Sequence, residues 1–351
     1  MIILGIDTSC DDTSVAITQD FQVLANVISS QDEIHAAWGG VVPNLARRAH
    51  EQNFPLVLQQ ALQQAELTME DVDVIAVTQG HGLAISLEVG VQQAKDLAAT
   101  YQKPLVAVHH SEGHFLANLA GEITHPAPLT LDQMEFPSLA ILVAGGQTQF
   151  VQVKSLGHYE IIGETVDDAL GEAFDKAARL LGLGYPGGAE LSQKAQNGNP
   201  KAYQLPRPMR NSGDFNVSYA GLKTAFLRLV VEVKSQSTDG TLTETQVEDL
   251  AASFQLAAVD TLIIKVKKIF EKQQFTQIFL GGGVAANSFL REKLTSFAQN
   301  NGVSFFHPYT TQLCRDNAAM IAIAGFIKAQ RGEFVDDLNK LDRDPQLAIP
   351  S

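Results

Sequence analysis

IILGIDTSCDDTSVAIT, residues 2–18, reads as strand, tight polar turn, strand. Ile2 to Ile6 form a short apolar run, residues 7–13 are rich in turn formers, and Val15–Ala16–Ile17 resumes the apolar pattern. The plan recurs in LAILVAGGQTQFVQV, residues 139–153, with Ala144–Gly145–Gly146–Gln147–Thr148 as the turn. Two apolar hairpins with small polar tips suggest an internally duplicated chain of two similar lobes. Hairpins are common, so coincidence stands beside duplication on this pattern alone. A length of 351 residues favours two lobes over a single core.

Outward from the hairpins, strands alternate with helices. FPLVLQQALQQAELTMEDVDVIAVTQG from Phe54 repeats Leu56, Leu58 and Leu62 at roughly helical spacing, and Val72–Val77 is a buried-strand run. GLAISLEVGVQQAKDLAATY reads as a Gly-initiated helix, followed by the strand PLVAVHH. DDALGEAFDKAARLLGLGYPGG reads as one helix stopped by Gly and Pro. Residues 247–272 form a long amphipathic helix with Leu250, Phe254, Ala257, Leu262 and Ile269 near one face. QIFLGGGVAANSFLREKL follows as strand, glycine turn and helix. This alternation indicates an α/β class with parallel sheet members. Residues 232–246 are expected as a solvated loop, and the polar tail after Gly332 as peripheral.

The composition, 45% hydrophobic and 18% charged, is that of an ordinary compact enzyme rather than a disordered chain. Cys10 and Cys314 are too few for a disulfide framework, and no signal peptide precedes the first strand. No apolar run approaches membrane-spanning length. The expectation is a cytoplasmic protein without a membrane partner. A formal net charge of −14 disfavours broad, unassisted binding to a nucleic-acid backbone. It leaves room for a local basic strip or a basic partner protein.

VHHSEGH, residues 108–114, holds three histidines, of which His110 and His114 stand four apart. On a helix such residues are separated by only about 40° around the axis and can converge on one ion. A helix starting near His110, just after a strand, would place both imidazoles at the carboxyl edge of a sheet, where α/β ligands bind. A pair of core or surface histidines is the alternative. Glu112 lies roughly 200° from His110, on the far side of the helix, which opposes a zinc protease of the H-E-x-x-H type. Asp316 precedes an Ala-rich helix in N-cap position, and simple capping is the reading that spacing alone favours. YPGGAE (185–190) and LGGGVAAN (280–287) each precede a helix, where backbone N–H groups can hold a phosphate, but neither is a P-loop or a Rossmann fingerprint. Plain turns explain both equally well. Asp7, Asp11 and Asp12 crowd the first hairpin tip and would repel unless a cation, a hydrogen-bond donor or solvent relieves them; a solvated turn is the plain reading, a nucleotide-linked cation or a general base the sharper one.

GIDTSCDDTSVAI, GGVVPNLARRAH, VHHSEGH, LVAGGQTQ, DDALGEAFDKAARLLGLGYPGG, SYAGLKTAF, LGGGVAANSFLR and CRDNAAMIA occur in this order from residue 5 to about 325. Together they resemble the tRNA threonylcarbamoyladenosine transferases, once labelled O-sialoglycoprotein endopeptidases. The resemblance implies an actin-like, sugar-kinase-like (ASKHA) α/β fold of two duplicated lobes with mixed sheets flanked by helices. One lobe would be residues 1–127 plus 316–351, with the C-terminal helix returning to it, and the other residues 128–315. It implies passage of threonylcarbamoyl from threonylcarbamoyl-adenylate to the exocyclic amine of the adenosine beside the anticodon, in tRNAs reading codons that begin with A. AMP is released.

Carried onto this chain, the family's metal ligands fall on His110, His114 and Asp316, for one divalent ion, iron or zinc, with His109 in support. Its adenylate-binding positions fall on Leu142, Val143, Ala144, Gly145, Gly146, Asp175, Gly188 and Asn287. The chain departs from the family pattern at four places: Asp12 and Asn44 stand for Glu, His81 for Pro and Gln147 for His. Asp12 is the candidate catalytic base. Implied partners are tRNA, a paralogous actin-like subunit, a small ATPase and the adenylate-forming synthase. Arg47, Arg48 and Lys223 are candidate local tRNA contacts, or ordinary surface charges. The competing functions are a small-molecule O-carbamoyltransferase or kinase of the same fold, and a non-catalytic subunit of the modification complex.

Overall fold

The computed structural model describes residues 1–351 except Ala37, Ile123 and Thr238 and the side chain of Ala36. The chain opens with β1 (Ile2–Asp7), β2 (Asp12–Gln19), β3 (Gln22–Ser30), α1 (Asp32–Ala36), α2 (Pro43–Ala65), β4 (Val74–Gly80), α3 (Ala84–Tyr101), β5 (Leu105–His109) and α4 (His110–Leu116). The second half runs β6 (Ser138–Val143), β7 (Thr148–Ser155), β8 (His158–Glu164), α5 (Leu170–Leu180), α6 (Gly188–Ala195), α7 (Ala220–Ser235) and α8 (Glu244–Lys272). It closes with β9 (Gln277–Gly281), α9 (Ser288–Asn301), β10 (Ser304–Phe306) and α10 (Ala318–Gln330).

Two five-stranded sheets result, ordered β3-β2-β1-β4-β5 and β8-β7-β6-β9-β10. In each, the first three strands are antiparallel and the last two join the first in parallel. The sheets are therefore topological copies, and the duplication suggested by the two hairpins is real.

The copies are laced together by their final helices. α4 follows the first sheet yet packs against β6 and β9 of the second, while α10 follows the second sheet and packs on β1, β2 and β4 of the first. Small residues make both approaches possible. A Cβ on Gly5 of β1 would collide with the Ala318 carbonyl of α10, and one on Gly281 of β9 with the His114 carbonyl of α4. α10 is apolar on all sides and buried almost throughout, from Ala318 to Ala329, as expected for a helix between two lobes.

Several local readings change. In α2 the buried face is Ala46, Ala49, His50, Phe54, Val57 and Ala61, while Leu56 is exposed. The helix expected from Asp167 stops as the glycines and proline suggest: α5 ends at Leu180, Gly182 and Gly184 follow at φ 78° and 86°, a backbone that ends helices, and α6 starts afresh at Gly188. The expected solvated loop is cut back at both ends, because α7 continues to Ser235 and Thr243 with Gln246 forms a capping box for α8; Thr238 within it lies outside the described residues.

The tail is not peripheral. Leu341 is buried against the first lobe's core, Val335 N–H donates to the Leu105 carbonyl (2.8 Å), and Asp344 N–H to that of Gln79 (2.9 Å). Pro350, at the far end, accepts a bond from Tyr159 N–H of β8 (2.8 Å). A polar composition hid a segment whose backbone, rather than its side chains, makes most of the attachments.

Candidate functional site

The carboxyl ends of β1 and β6 and the N-termini of α4 and α10 meet around one cavity of about 1120 Å³. Its wall includes Cys10, Asp11 and Asp12 from the first hairpin tip and Ala144 to Gln147 from the second. His81, His110, Asp175, Gly188, Asn287, Arg315 and Asp316 complete the part relevant here.

β5 ends at His109, and α4 begins at once, so His110 and His114 lie one helical turn apart with ring centroids 4.6 Å from each other. Asp316 joins them: its Oδ1 is 3.4 Å from His110 Nε2 and 3.2 Å from His114 Nε2. One ligand atom from each residue falls within 4.8 Å of the other two. The capping alternative for Asp316 fails, because Asn317 is the N-cap of α10 and its side chain accepts from Met320 N–H (3.1 Å). Asp316 is thereby released to face the histidines.

Both imidazoles are almost completely buried, yet His110 Nδ1 and both nitrogens of His114 lack a hydrogen-bond partner. Buried nitrogens left without partners are costly unless something binds them. Two imidazoles and a carboxylate make a donor set suited to a divalent transition ion, which would displace the proton that His110 holds in its absence. These residues fit a metal. Burial lowers the His114 pKa. Burial acts the same way on His110, but the Asp316 and Asp7 carboxylates outweigh it and raise that imidazole to about 10. In the absence of an ion, Asp316 is held well below the usual carboxylate range, burial being outweighed by His110 and His114.

Asp7 sits closer to the histidines than its place in the crowded tip revealed. Fully buried, it accepts from Thr78 Oγ1 (2.6 Å) and Ser9 Oγ (3.2 Å), and its Oδ1 lies 3.7 Å from His110 Nδ1. At that distance the carboxylate acts on the imidazole by charge and not through a hydrogen bond. Asp12 lines the cavity. Its carboxyl is raised to about 7 by burial, against the opposing pull of Arg315 at 3.5 Å. Arg315 also pairs with Asp32 (3.2 Å). Arg315 stands directly before Asp316 in the CRDN stretch, which was the available signal. Glu112 points away from the histidines and accepts from Tyr159 Oη (2.7 Å), as its place on the helix requires.

The second tip supplies room instead of charge. A Cβ added to Gly145, Gly146 or Gly283 would meet no protein atom within 4 Å. Nothing in the fold itself demands glycine there; the space is open to a ligand approaching the backbone. The Gly171 and Glu172 N–H groups at the start of α5 donate to the Ala144 and Gly145 carbonyls (3.2 and 3.1 Å), which anchors the turn. Leu142 and Val143 are buried in β6 and lie behind the cavity wall, outside its lining.

The remaining candidates are partly committed to the protein. Asp175 Oδ1 accepts from the N–H groups of Gly187 (2.9 Å) and Gly188 (2.8 Å), so these amides point at a carboxylate and are not free for a phosphate. Asn287 caps α9 through Leu290 N–H (2.9 Å), and its amide donates to Ser192 Oγ (2.9 Å) and Gln255 Oε1 (2.8 Å). Its polar atoms are all engaged. Two of the positions that depart from the resemblance meet at a single hydroxyl: His81 Nε2 and Gln147 Nε2 lie 2.8 and 2.9 Å from Ser111 Oγ. Of the basic candidates, Arg47 pairs with Glu51 (2.9 Å) and Lys223 with Asp168 (2.6 Å), while Arg48 is exposed.

Solved structures place this architecture. The activator of the 2-hydroxyisocaproyl-CoA dehydratase from Clostridium difficile, with bound ADPNP, matches with a TM-score of 0.55 and 14% identity over 95% of this chain and 97% of its own. Full-length HypF in the phosphate- and nucleotide-bound form matches with a TM-score of 0.59 and 14% identity, over 95% of this chain and 46% of HypF. The protein is thus a two-lobed α/β protein of the ASKHA fold class, with its cavity between the lobes.

The sequence narrows this further. The family model described as tRNA N6-adenosine threonylcarbamoyltransferase (TsaD) matches residues 22–323. A protein of that name from Thermosipho africanus is 43% identical over 349 residues, covering 99% of this chain and 100% of the relative. One from Kosmotoga olearia is 43% identical over 352 residues and covers both chains completely. The chain belongs to the tRNA N6-adenosine threonylcarbamoyltransferase family.

Proposed function

We propose that the protein transfers a threonylcarbamoyl group from threonylcarbamoyl-adenylate to the exocyclic amine of the adenosine beside the tRNA anticodon, releasing AMP. The observation that carries this reading is a single cavity joining the buried His110–His114–Asp316 cluster to the open space over Gly145 and Gly146. One half suits an acyl group that must be activated, the other a bulky adenylate close to backbone.

His110, His114 and Asp316 would hold one divalent ion, iron or zinc, with the buried Asp7 carboxylate 3.7 Å behind His110 Nδ1. When bound, such an ion supplies Lewis-acid polarisation of the acyl carbonyl. Gly145 and Gly146 admit the adenylate, and the Asp175 side chain on the same wall is the candidate for its ribose hydroxyls. The amine nitrogen attacks the carbamoyl carbon, the bond from that carbon to the phosphate oxygen breaks, and AMP leaves. Asp12, with its carboxyl near neutrality, is placed to accept the proton the amine loses. Adenylate is a good leaving group, so positioning does much of the work.

A net charge of −14, with Arg47 and Lys223 already paired, supports recruitment of tRNA through partner proteins. A paralogous actin-like subunit, a small ATPase and the adenylate-forming synthase fill that role. Such an assembly works in the cytoplasm. Consistent with this, no helix among the described residues is long and apolar enough to cross a membrane.

The test is genetic and chemical together. This gene, expressed with its native partners in a bacterial host depleted of its own homologue, is expected to restore threonylcarbamoyladenosine in digested tRNA, measured by mass spectrometry. Absence of the nucleoside would sink the assignment.

A further inference from the structure

The C-terminal segment reaches the metal-holding helix from two sides, and we propose that His109 and Tyr159 are positioning residues through which this strap holds His110 and His114 in place. The proposal rests on the metal reading above and adds to it a part of the chain that no site residue comes from.

α4 has seven residues, too few to keep its own geometry in isolation. Its first anchor is His109. The Nδ1 of that ring accepts from Ser111 N–H (3.1 Å) and caps the helix, while Nε2–H donates to the Leu347 carbonyl of the strap (2.9 Å). The ring is thus fixed at both ends, in one tautomer, immediately before the first ligand. The second anchor is Glu112, between the two ligands in sequence and on the opposite face. Tyr159 Oη donates to it (2.7 Å), and Tyr159 N–H is held by the Pro350 carbonyl of the strap (2.8 Å). Tyr159 and Glu112 are both buried. One grip sits at the start of the helix and the other on its back, so rotation of α4 about its axis is opposed at both.

The strap in turn is seated on Gly80 at the end of β4. A Cβ there would collide with the Asp344 carbonyl and lie 2.9 Å from the Leu347 Cβ. Glycine at this position is what lets the strap lie flat across the strand end. Metal ligands tolerate misplacement of only about 0.5 Å, so loosening either grip should show in the ion's affinity before it shows in the fold.

Gly80→Ala in the full chain places its new methyl against Asp344 and Leu347 of the strap. Zinc alone, titrated against a chromogenic chelator, is expected to bind this variant about 10–100-fold more weakly, as for loss of an outer support of a metal site. Tyr159→Phe, which removes only the hydroxyl to Glu112, should weaken zinc by about 10-fold. Asp342→Asn, a solvent-facing change in the same strap, should leave affinity within about twofold of wild type. In metal-free protein, amide hydrogen exchange over residues 110–116 should speed up in Gly80→Ala. Wild-type zinc affinity and wild-type exchange in that variant would overturn the proposal. If Gly80→Ala does not fold, His109→Ala decides by the same two measurements. Failure of the wild-type chain to bind zinc overturns the metal reading itself, and the exchange contrast still tests the strap.

Discussion

The β1–β2 tip and the β6–β7 tip occupy the same place in two copies of one sheet, and they have opposite chemistry. The first, Asp7 to Asp12, presents carboxylates: one buried behind His110, one raised towards neutrality beside Arg315. The second, Val143 to Thr148, presents two glycines over open space and no charge, with Gln147 turned to Ser111. Duplication fixed where the tips lie; divergence decided that one would work through charge and the other through absence of bulk. The helices that follow the two sheets diverged likewise. α4 begins with two imidazoles, and α10 is preceded by the carboxylate that completes their cluster.

The sharpest break in this comparison comes from emptying the charged side. His110→Ala and His114→Ala are each expected to abolish stoichiometric metal content and lower threonylcarbamoyladenosine formation by about 100-fold or more. Elemental analysis and single-turnover assays check both, and unchanged metal content would make the histidines structural. On the open side, Gly146→Ala should leave Tm unchanged, since its Cβ meets no protein atom within 4 Å. The added methyl intrudes on ligand space, and the KM for the adenylate should rise about 10-fold. A wild-type KM would mean the space serves no ligand.

Asp12→Asn tests the tip that works by charge. With its folded pKa raised to about 7, Asp12 holds its proton better in the folded than in the unfolded chain. Its stabilising effect is complete at pH 4 and below and is lost as pH rises through 7, a change of at most about 4 kcal/mol. The Asn variant should therefore match wild type near pH 4 and exceed its Tm at pH 8. It should also lose the limb of the rate profile centred near pH 7 and fall roughly 10–100-fold in turnover. A rate profile unchanged in shape removes Asp12 as the base.

Much of this was legible from the residues, for physical reasons that differ from site to site. The His110–His114 spacing and the far-side placement of Glu112 follow from helical geometry, which needs only local sequence. Asp316 was harder. Asp and Asn stand side by side before α10, both good caps, and only the backbone at Asn317 decides which one caps and which is left for the histidines. The ordered motifs found Gly188 and Asn287 on the cavity wall, but not that Asp175 occupies the Gly188 amide or that Ser192 and Gln255 occupy Asn287. Those are side-chain pairings between distant segments and leave no periodic trace. The tail misled for a related reason: polarity predicts solvent when side chains make the contacts, and here carbonyls of Leu347 and Pro350 make them.

The exchange of final helices between the lobes has a consequence for how the chain is made. The first sheet emerges from the ribosome with the face that α10 will cover still bare, and α10 is not complete until Gln330. At rates of synthesis of about 5–20 residues per second, roughly 10–40 s separate the end of α4 from the end of α10. Through that interval β1, β2 and β4 keep apolar surface exposed, the condition that makes a half-built lobe prone to aggregation. The lobe that begins first is finished last.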